Sequence, residues 1–283
     1  MNATGKAAEK TTEKTTEKTI DINCDMGESF GAYTIGMDRE VIAHITSANI
    51  ACGFHAGDPV VLSRTVRLAA ENGVGVGAHP GFPDLMGFGR RKMECSPEEI
   101  RNYVIYQVGA VLGFCKAHGA VLQHVKPHGG LYNMAAEDET IVETIAGAIA
   151  DIDHNLIMVC LAGKNAPRFR EIAKKAGIRV VFEAFPDRAY TGEGVLAPRS
   201  SPGAVIKDPE TVARRAVMMA AEGMIEAADG SMLTLEPDTL CVHGDTPAAV
   251  DLARSIREAL QKNGLNVIPM AQILSLGQGR TPS

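Results

Sequence analysis

Residues 124–130 read HVKPHGG, so two histidines stand four positions apart with Lys126 midway between them. On a helix, His-x3-His is a familiar metal-ligand spacing because residues i and i+4 share one face. Pro127 stands inside this segment and two glycines follow it, which argues against a helix. On a strand, His124, Lys126 and His128 would instead project together as one row.

That row has consequences for chemistry. At about 3.3 Å per residue it spans roughly 13 Å, too far for one metal ion whose ligand bonds are near 2 Å. A lysine that points into a protein needs an anionic partner or ligand. Lys126 therefore predicts either an ion pair with Asp25 or Glu183, or contact with an anionic substrate. We expect Lys126 and His128 to face that substrate, and His124 to be a buried support.

Composition excludes several classes of protein. The 283 residues are 45% hydrophobic and 22% charged, with a net charge of −6, which argues against a nucleic-acid surface. No apolar run approaches the roughly 20 residues that a membrane helix needs. The six cysteines have no zinc-type spacing and several lie in apolar runs, so we expect reduced, mostly buried thiols in a cytoplasmic protein.

The first 18 residues differ from the rest. The unit TTEK occurs twice, at 11–14 and 15–18, without an apolar stripe. This predicts a disordered or weakly helical tail, and the tail lacks the apolar stretch of a secretory signal. Residues 19–283 are predicted to form a single barrel domain that carries the catalytic site.

From residue 19 onward, extended and helical segments alternate. Helix boundaries are marked by Ser96-Pro97 and Gly119, by Asp58-Pro59 and Asn72-Gly73, and by Thr246-Pro247 and Asn263-Gly264. The extended segments are 19–25, 47–52, 74–79, 121–128, 156–162, 179–187, 239–245 and 265–270.

Such alternation predicts an α/β fold with a mostly parallel sheet covered by helices. Seven or eight units favour a TIM-like (β/α) barrel, with seven strands or otherwise irregular. A doubly wound open sheet is the alternative, but it would usually carry a GxGxxG turn after the first strand, and that motif is missing.

Five strands have one polar face, which becomes most polar toward the carboxyl end, where barrel active sites lie. Polar groups from so many strand ends converge where something is bound. The candidate catalytic residues are Asp25, Glu28, His55, Asp58, His79, Lys126 and His128. The candidate substrate-binding residues are Asn49, Arg90, Glu183, Arg188, His243 and Asp245.

Six motifs in this order resemble the LamB/YcsF family, whose members are described as A subunits of bacterial-type 5-oxoprolinase. The motifs are DINCDMGESFG, TSANIACGFHAGDP, GAHPGFPDLMGFGRR, HVKPHGGLYN, EAFPDRAY and CVHGDTPAAV. The resemblance runs from about Ile20 to the end, with one minor departure at Gly130, where alanine is common. It implies a barrel related to the glycoside hydrolase/deacetylase superfamily.

The resemblance also implies a reaction, 5-oxo-L-proline + ATP + 2 H2O → L-glutamate + ADP + phosphate, and two partners, the B and C subunits. For this reaction, Lys126 with Arg90 or Arg188 could hold anionic groups, and the histidines could shuttle protons near neutral pH. Carboxylates such as Asp25 could orient the histidines, act as base or bind a divalent cation. The sequence has no GxxxxGK[ST], so ATP binds either at the mouth without that loop or on a partner subunit.

Two rival functions remain open at this point. One is a metal-dependent hydrolase that acts without partners on an acetylated sugar or another amide. Such deacetylases place one aspartate and a His-x3-His pair on one metal ion. The other rival is a non-catalytic subunit that binds oxoproline for the B and C chains.

Overall fold

The computed structural model describes residues 18–244 and 248–277. The strands are β1 Thr19–Met26, β2 Ser47–Ala51, β3 Gly75–His79, β4 Leu122–Val125, β5 Ile157–Leu161, β6 Arg179–Ala184, β7 Met224–Glu226, β8 Met232–Thr234, β9 Thr239–Val242 and β10 Asn266–Val267. The α-helices are α1 Asp38–Val41, α2 Pro59–Glu71, α3 Pro97–His118, α4 Gly129–Glu137, α5 Glu139–Ile152, α6 Ala166–Ala176, α7 Pro209–Val217, α8 Ala249–Lys262 and α9 Met270–Ser275. A 3-10 turn at Ile42–His44 and a π-helical turn at Met218–Glu222 extend α1 and α7. The predicted tail lies outside the described residues, apart from residue 18.

Seven parallel strands form a closed barrel. Strands β1 to β6 pair in chain order, β9 pairs with β6, and β9 also pairs with β1 to close the ring. The predicted seven-stranded barrel is confirmed, and the open doubly wound sheet is wrong. The predicted eighth strand is the two-residue β10, which pairs with the first residues of β1, while β7 and β8 form a separate antiparallel hairpin.

Local signals set the helices as predicted. Ser96 and Glu99 form a capping box at the start of α3, and Gly119 ends that helix at φ 67°. Asp58 caps α2, which ends at Asn72. Helix α8 ends at Asn263, and its predicted start at 246–247 lies outside the described residues.

The fourth strand is shorter than predicted, because β4 ends at Val125. The backbone N–H groups of Lys126 and His128 nevertheless donate to the carbonyls of Ala78 and Pro80, at 2.9 and 2.8 Å. Pro127 has no N–H to give to β5 on the other side. The chain therefore keeps its strand-like alternation along one neighbour only, and His124, Lys126 and His128 stay in one inward row.

Apolar side chains close the amino-terminal end of the barrel. Ile157, Val159 and Val181 point inward and pack with Met270 of α9 in a small cluster separate from the main core. The main core lies between the outer face of the barrel and the helices. Asp21 is fully buried in the barrel, and its pKa is affected by a backbone hydrogen bond from Met270.

Asp21 holds three hydroxyl groups. Its carboxylate accepts from Thr46 at 2.8 Å, from Ser47 at 2.7 Å and from Thr239 at 2.5 Å. These hydrogen bonds stabilise the charged form, but burial outweighs them and raises the pKa of Asp21 to about 6. The native state therefore binds a proton at this position more tightly than the unfolded chain does.

Asp21→Asn tests this linkage. Because the folded pKa is raised, the stability from a protonated Asp21 is fully present below about pH 4 and is lost as pH rises to about 6. The unfolding free energy of wild type minus that of Asp21→Asn should fall by on the order of 2–3 kcal/mol between pH 4 and 7. Urea titrations at several pH values measure it. The exposed Asp251→Asn is the control, and a flat difference for Asp21→Asn would contradict the raised pKa.

Candidate active site

The ammonium of Lys126 is the centre of the barrel mouth. Its Nζ lies 3.0 Å from Oδ1 of Asp25 and 2.8 Å from Oε1 of Glu183. It also donates to Oδ1 of Asn23 at 3.2 Å and to Sγ of Cys241 at 3.1 Å. The predicted ion pair is confirmed with both carboxylates at once, and β4 is thereby tied to β1, β6 and β9.

Mutual charge keeps this buried group ionised. Burial alone would lower the pKa of Lys126, but the charges around it, Asp25 first among them, raise that pKa well above its usual range. Burial would likewise raise the pKa of Asp25, but its interactions with His79 and Lys126 hold it well below its usual range. Glu183 acts on Lys126 both through its charge and through a side-chain hydrogen bond, and both raise the pKa of Lys126.

His124 supports this centre from below. Its Nε2 lies 2.8 Å from Oδ1 of Asn49, whose amide donates to Asn23 at 2.7 Å and to Asp25 at 2.8 Å. Burial, with the nearby charge of Lys126, lowers the pKa of His124 to about 3, so this imidazole is neutral. His124 thus has the support position that the sequence predicted.

The hydrogen bonds of Asn49 give it a different role from the predicted one. Both of its N–H donors are used by Asn23 and Asp25, and its oxygen receives His124. We predicted that Asn49 binds substrate, but the structure uses it to position Asp25. Gly77 leaves the room for this arrangement, since a Cβ there would lie 2.0 Å from Nε2 of His124.

Three histidines form a second group beside Asp25. The rings of His55 and His128 stack with centroids 3.7 Å apart, and Nε2 of His79 lies 3.0 Å from Nδ1 of His128. Nδ1 of His79 lies 2.6 Å from the carbonyl oxygen of Lys126, and Nε2 of His128 lies 2.8 Å from that of Phe88. His55 is fully buried, and neither of its ring nitrogens has a hydrogen-bond partner among the described residues.

The protonation of this group differs from the prediction. Burial, reinforced by the neighbouring histidines, lowers the pKa of both His55 and His128 well below the usual value. In the chain by itself these two imidazoles are therefore neutral at pH 7, and they do not titrate near neutrality as we expected. Gly89, at φ 64°, permits their packing, because a Cβ there would lie 2.6 Å from Cβ of His55.

A carboxylate–histidine pair lies at the rim. Nδ1 of His243 lies 2.6 Å from Oδ2 of Asp187, and both residues are buried. Burial raises the pKa of Asp187, but His243 overrides this and lowers it below its usual value. Phe185 stacks on His243 at 5.5 Å and lies 5.4 Å from Nζ of Lys126. Asp187 therefore fixes one nitrogen of His243, and the ring has a nitrogen within 4.8 Å of ligand atoms of Asp25 and Cys241, which both contact Lys126.

Several predicted residues lie apart from this centre. Asp58 accepts from the backbone N–H groups of Val60, Val61 and Gly31, so it is a helix cap and not a proton carrier. Arg188 is buried and donates to the carbonyls of Ala197 and Ala204.

Three further residues were predicted for the site. Arg90 is exposed and lies 4.8 Å from the ring of Phe88. Glu28 is buried, and its carboxylate lies within 4.8 Å of ligand atoms of Asp25 and His128. Asp245 lies outside the described residues.

The sequence-based candidates omitted residues that the structure brings to the centre: Asn23, Phe88, Asp187 and Cys241. Alternation already placed Asn23, Asp187 and Cys241 on inward faces, so the signal was present. Phe88 contributes its backbone carbonyl and has φ 54°, and no residue pattern reports such a contact.

Comparisons with known proteins decide the family. The LamB/YcsF family model matches residues 20–275. This chain belongs to the LamB/YcsF family. Its LamB/YcsF relatives include the A subunit of 5-oxoprolinase from Pyrococcus furiosus, 53% identical over 89% of this chain and 98% of the relative. The corresponding 5-oxoprolinase chain of Syntrophobacter fumaroxidans is 56% identical over 88% of this chain and 97% of the relative.

Solved structures agree with this assignment. The crystal structure of the lactam utilization protein from Thermus thermophilus has 52% identity and a TM-score of 0.82, covering 88% of this chain and 99% of that one. An Enterococcus faecalis protein, proposed to cleave cellobiose phosphate, has 13% identity and a TM-score of 0.55 over 91% and 99% of the two chains, which shows a shared fold alone. The family predicted from the motifs is confirmed. Within 18–244 and 248–277, no helix is long and apolar enough to cross a membrane.

The ion pairs of Lys126 predict a specific stability pattern. Lys126→Met should cost about 3–5 kcal/mol, because it leaves the carboxylates of Asp25 and Glu183 buried without a cation. Adding Glu183→Gln should restore part of that loss, since it removes one unpaired charge. Lys164→Met, at an exposed pair with Glu193, should change stability by less than about 0.5 kcal/mol.

Urea unfolding followed by circular dichroism measures all four proteins. If Lys126→Met were as stable as Lys164→Met, the ion pairs would not stabilise the barrel. If the double variant were less stable than Lys126→Met, the unpaired charge of Glu183 would not be the cause of the loss.

Proposed function

We propose that this chain is the A subunit of a multi-subunit 5-oxoprolinase, and that its barrel mouth opens the lactam ring of 5-oxo-L-proline. The overall reaction is 5-oxo-L-proline + ATP + 2 H2O → L-glutamate + ADP + phosphate. The names of the relatives, at 53 and 56% identity, support the assignment. The observation that carries the catalytic role is the Asp187–His243 pair, whose histidine lies within 4.8 Å of ligand atoms of two residues that contact Lys126, Asp25 and Cys241.

The chemistry requires activation of the amide. A five-membered lactam is little strained and its carbon is a poor electrophile, so the γ-phosphoryl group of ATP is transferred to the carbonyl oxygen. One water then adds to that carbon, and the C–N bond breaks as the nitrogen takes a proton. The product is an acyl phosphate, which a second water hydrolyses to glutamate and phosphate. Both waters and one nitrogen need proton transfer at the site.

Residues at the mouth match these needs. His243, oriented by Asp187 at 2.6 Å, takes the proton from the attacking water. Lys126 supplies a fixed positive charge beside the oxygen that gains negative charge, and the surrounding burial strengthens that effect. Arg90, exposed beside Phe88, is the cation placed to meet the substrate carboxylate or a phosphate. Asp25, Asn49 and His124 hold this set in position.

The B and C subunits complete the enzyme in this proposal. Loops that follow the strands rim the mouth, and several expose apolar side chains to solvent. Tyr33 is 75% exposed after β1, Val60 is 75% exposed in the first turn of α2, and Met86 is 93% exposed after β3. Exposed apolar groups at one end of a barrel are typical of a protein–protein contact, so one of the partners docks over the mouth.

The His-x3-His version of a sugar deacetylase lacks support. Among the described residues, His128 lies in groups that could share an ion, and His124 does not. His124 is instead bonded to Asn49. The two histidines of HVKPHGG thus have separate roles.

Reconstitution with the B and C subunits tests the catalytic role. Asp187→Asn should lower kcat for oxoproline-dependent ATP hydrolysis by roughly 10²–10⁴-fold, because His243 loses the carboxylate that orients it. The exposed Asp251→Asn should leave kcat unchanged.

The readout separates the rival functions. Normal kcat with a raised KM in Asp187→Asn would show a subunit that binds oxoproline without catalysing its opening. Oxoproline turnover by this chain without ATP or partners would show an independent hydrolase.

Nucleotide binding is a separate question. The chain has no GxxxxGK[ST], so we expect labelled ATP to bind the assembled complex and not the isolated chain. Equilibrium dialysis of the chain, the partners and the complex measures this. Stoichiometric binding by the isolated chain would place the nucleotide site at this barrel mouth.

A further inference from the structure

The hydrogen bonds of His79 and His128 fix their tautomers. Nδ1 of His79 and Nε2 of His128 each face a backbone carbonyl, at 2.6 and 2.8 Å, and a carbonyl oxygen can only accept. With one N–H per imidazole, each ring therefore uses that N–H on the carbonyl. The remaining nitrogens, Nε2 of His79 and Nδ1 of His128, face each other at 3.0 Å with two lone pairs.

Asp25 adds a third acceptor to this point. Its Oδ2 lies 3.4 Å from Nε2 of His79, while its Oδ1 is bound to Lys126. Acceptors that converge without a donor repel one another, so a positive species must lie between them. That species is either a proton shared by the two histidines or a metal ion.

His55 distinguishes the two. A shared proton would satisfy His79 and His128, but it would leave His55 with two buried ring nitrogens that have no partner within the described residues. Leaving such groups unpaired costs about 1–3 kcal/mol each. The ring of His55 is stacked on that of His128 at 3.7 Å. A metal ion can take a nitrogen from all three histidines.

We propose that His55, His79 and His128 bind one divalent transition-metal ion together with Asp25. One nitrogen from each histidine lies within 4.8 Å of the others. Two atoms bound to one ion are about 3–4 Å apart, so the rings must move closer, and the parallel rings of His55 and His128 must tilt so that both lone pairs point at the ion. Histidine ligands with a carboxylate favour the zinc class of ions over Mg²⁺ or Ca²⁺.

The surroundings already have the form of a metal site. Histidine ligands of metals commonly donate their other N–H to a backbone carbonyl, as His79 and His128 do here. Glu28 is near enough to add a second carboxylate, since its oxygen lies within 4.8 Å of ligand atoms of Asp25 and His128. A catalytic role for the ion rests on the proposed function. In that role, a bound ion would polarise a water or a carbonyl oxygen of the substrate.

Another group of potential ligands fits less well. Asp25, Cys241 and His243 also lie within 4.8 Å of one another. The ammonium of Lys126 donates to Sγ of Cys241 at 3.1 Å, and that positive charge would repel a cation. Burial also raises the pKa of the Cys241 thiol well above its usual value, so the sulfur is not available as a thiolate.

Metal binding by the purified full-length chain tests the proposal. After chelator treatment, calorimetry with Zn²⁺ should give one ion per chain, and Mg²⁺ should give no comparable signal. His55→Phe keeps the ring stacking and removes the nitrogens, so it should weaken Zn²⁺ binding by at least about 100-fold. His154→Gln is the control, an exposed histidine outside the cluster, and it should bind as wild type does. Circular dichroism checks that each variant folds. If His55→Phe does not fold, Glu28→Gln replaces it, with an expected loss of Zn²⁺ affinity of about 10-fold or more.

Two outcomes would overturn the proposal. If wild type takes up no Zn²⁺, Mn²⁺ or Co²⁺, the acceptors share a proton only. If the Co²⁺ form shows sulfur-to-metal charge transfer, the ion lies at Cys241 instead. Because these readouts do not depend on turnover, a chain that binds no metal ion in a complex that hydrolyses oxoproline would refute the metal site alone, and a metal-bound chain without oxoproline turnover in the complex would refute the proposed function alone.

Discussion

The buried ammonium of Lys126 is the constraint on which the barrel mouth depends. A lone charge at this depth would be expensive, so the fold brings Asp25 from β1 and Glu183 from β6 to within 3.0 Å of it. Those partners are 101 and 57 positions away along the chain, and only closure of the barrel between β1 and β9 places them together. Asn49 and His124 then hold Asp25 in place.

A second property of the mouth is its excess of hydrogen-bond acceptors. Within the described residues, Oδ1 of Asp187 has no hydrogen-bond donor, and His55 has no partner on either nitrogen. Buried acceptors of this kind are unfavourable in an isolated chain. They become favourable when a cation or a ligand with N–H groups occupies the mouth. The lactam nitrogen of oxoproline carries such an N–H group, and a metal ion between the histidines would use others.

Local patterns predicted a large part of this arrangement. The row His124, Lys126 and His128 followed from strand alternation, which persists past β4 because the N–H groups of Lys126 and His128 bond to the β3 side. Helix ends followed from caps such as Ser96 and Gly119. The ion pair of Lys126 followed from the cost of burying a charge.

Other features depend on contacts that no local pattern contains. Asp58 was predicted to be catalytic because it is acidic and lies after a strand, but the N-terminus of α2 uses it as a cap. Asn49 was predicted to bind substrate, but its amide instead donates to two other side chains and orients them. The tautomer of His128 is set by the carbonyl of Phe88, 40 positions earlier. Pairing of Asp187 with His243 joins loops 56 positions apart.

The position of bound oxoproline tests the central claim most directly. A crystal structure of the complex with 5-oxo-L-proline and a non-hydrolysable ATP analogue would show it. We expect the lactam ring at the mouth of this barrel, with its carbonyl carbon near His243 and its oxygen near Lys126. Oxoproline bound only to one of the partners, with no ligand at this mouth, would contradict it.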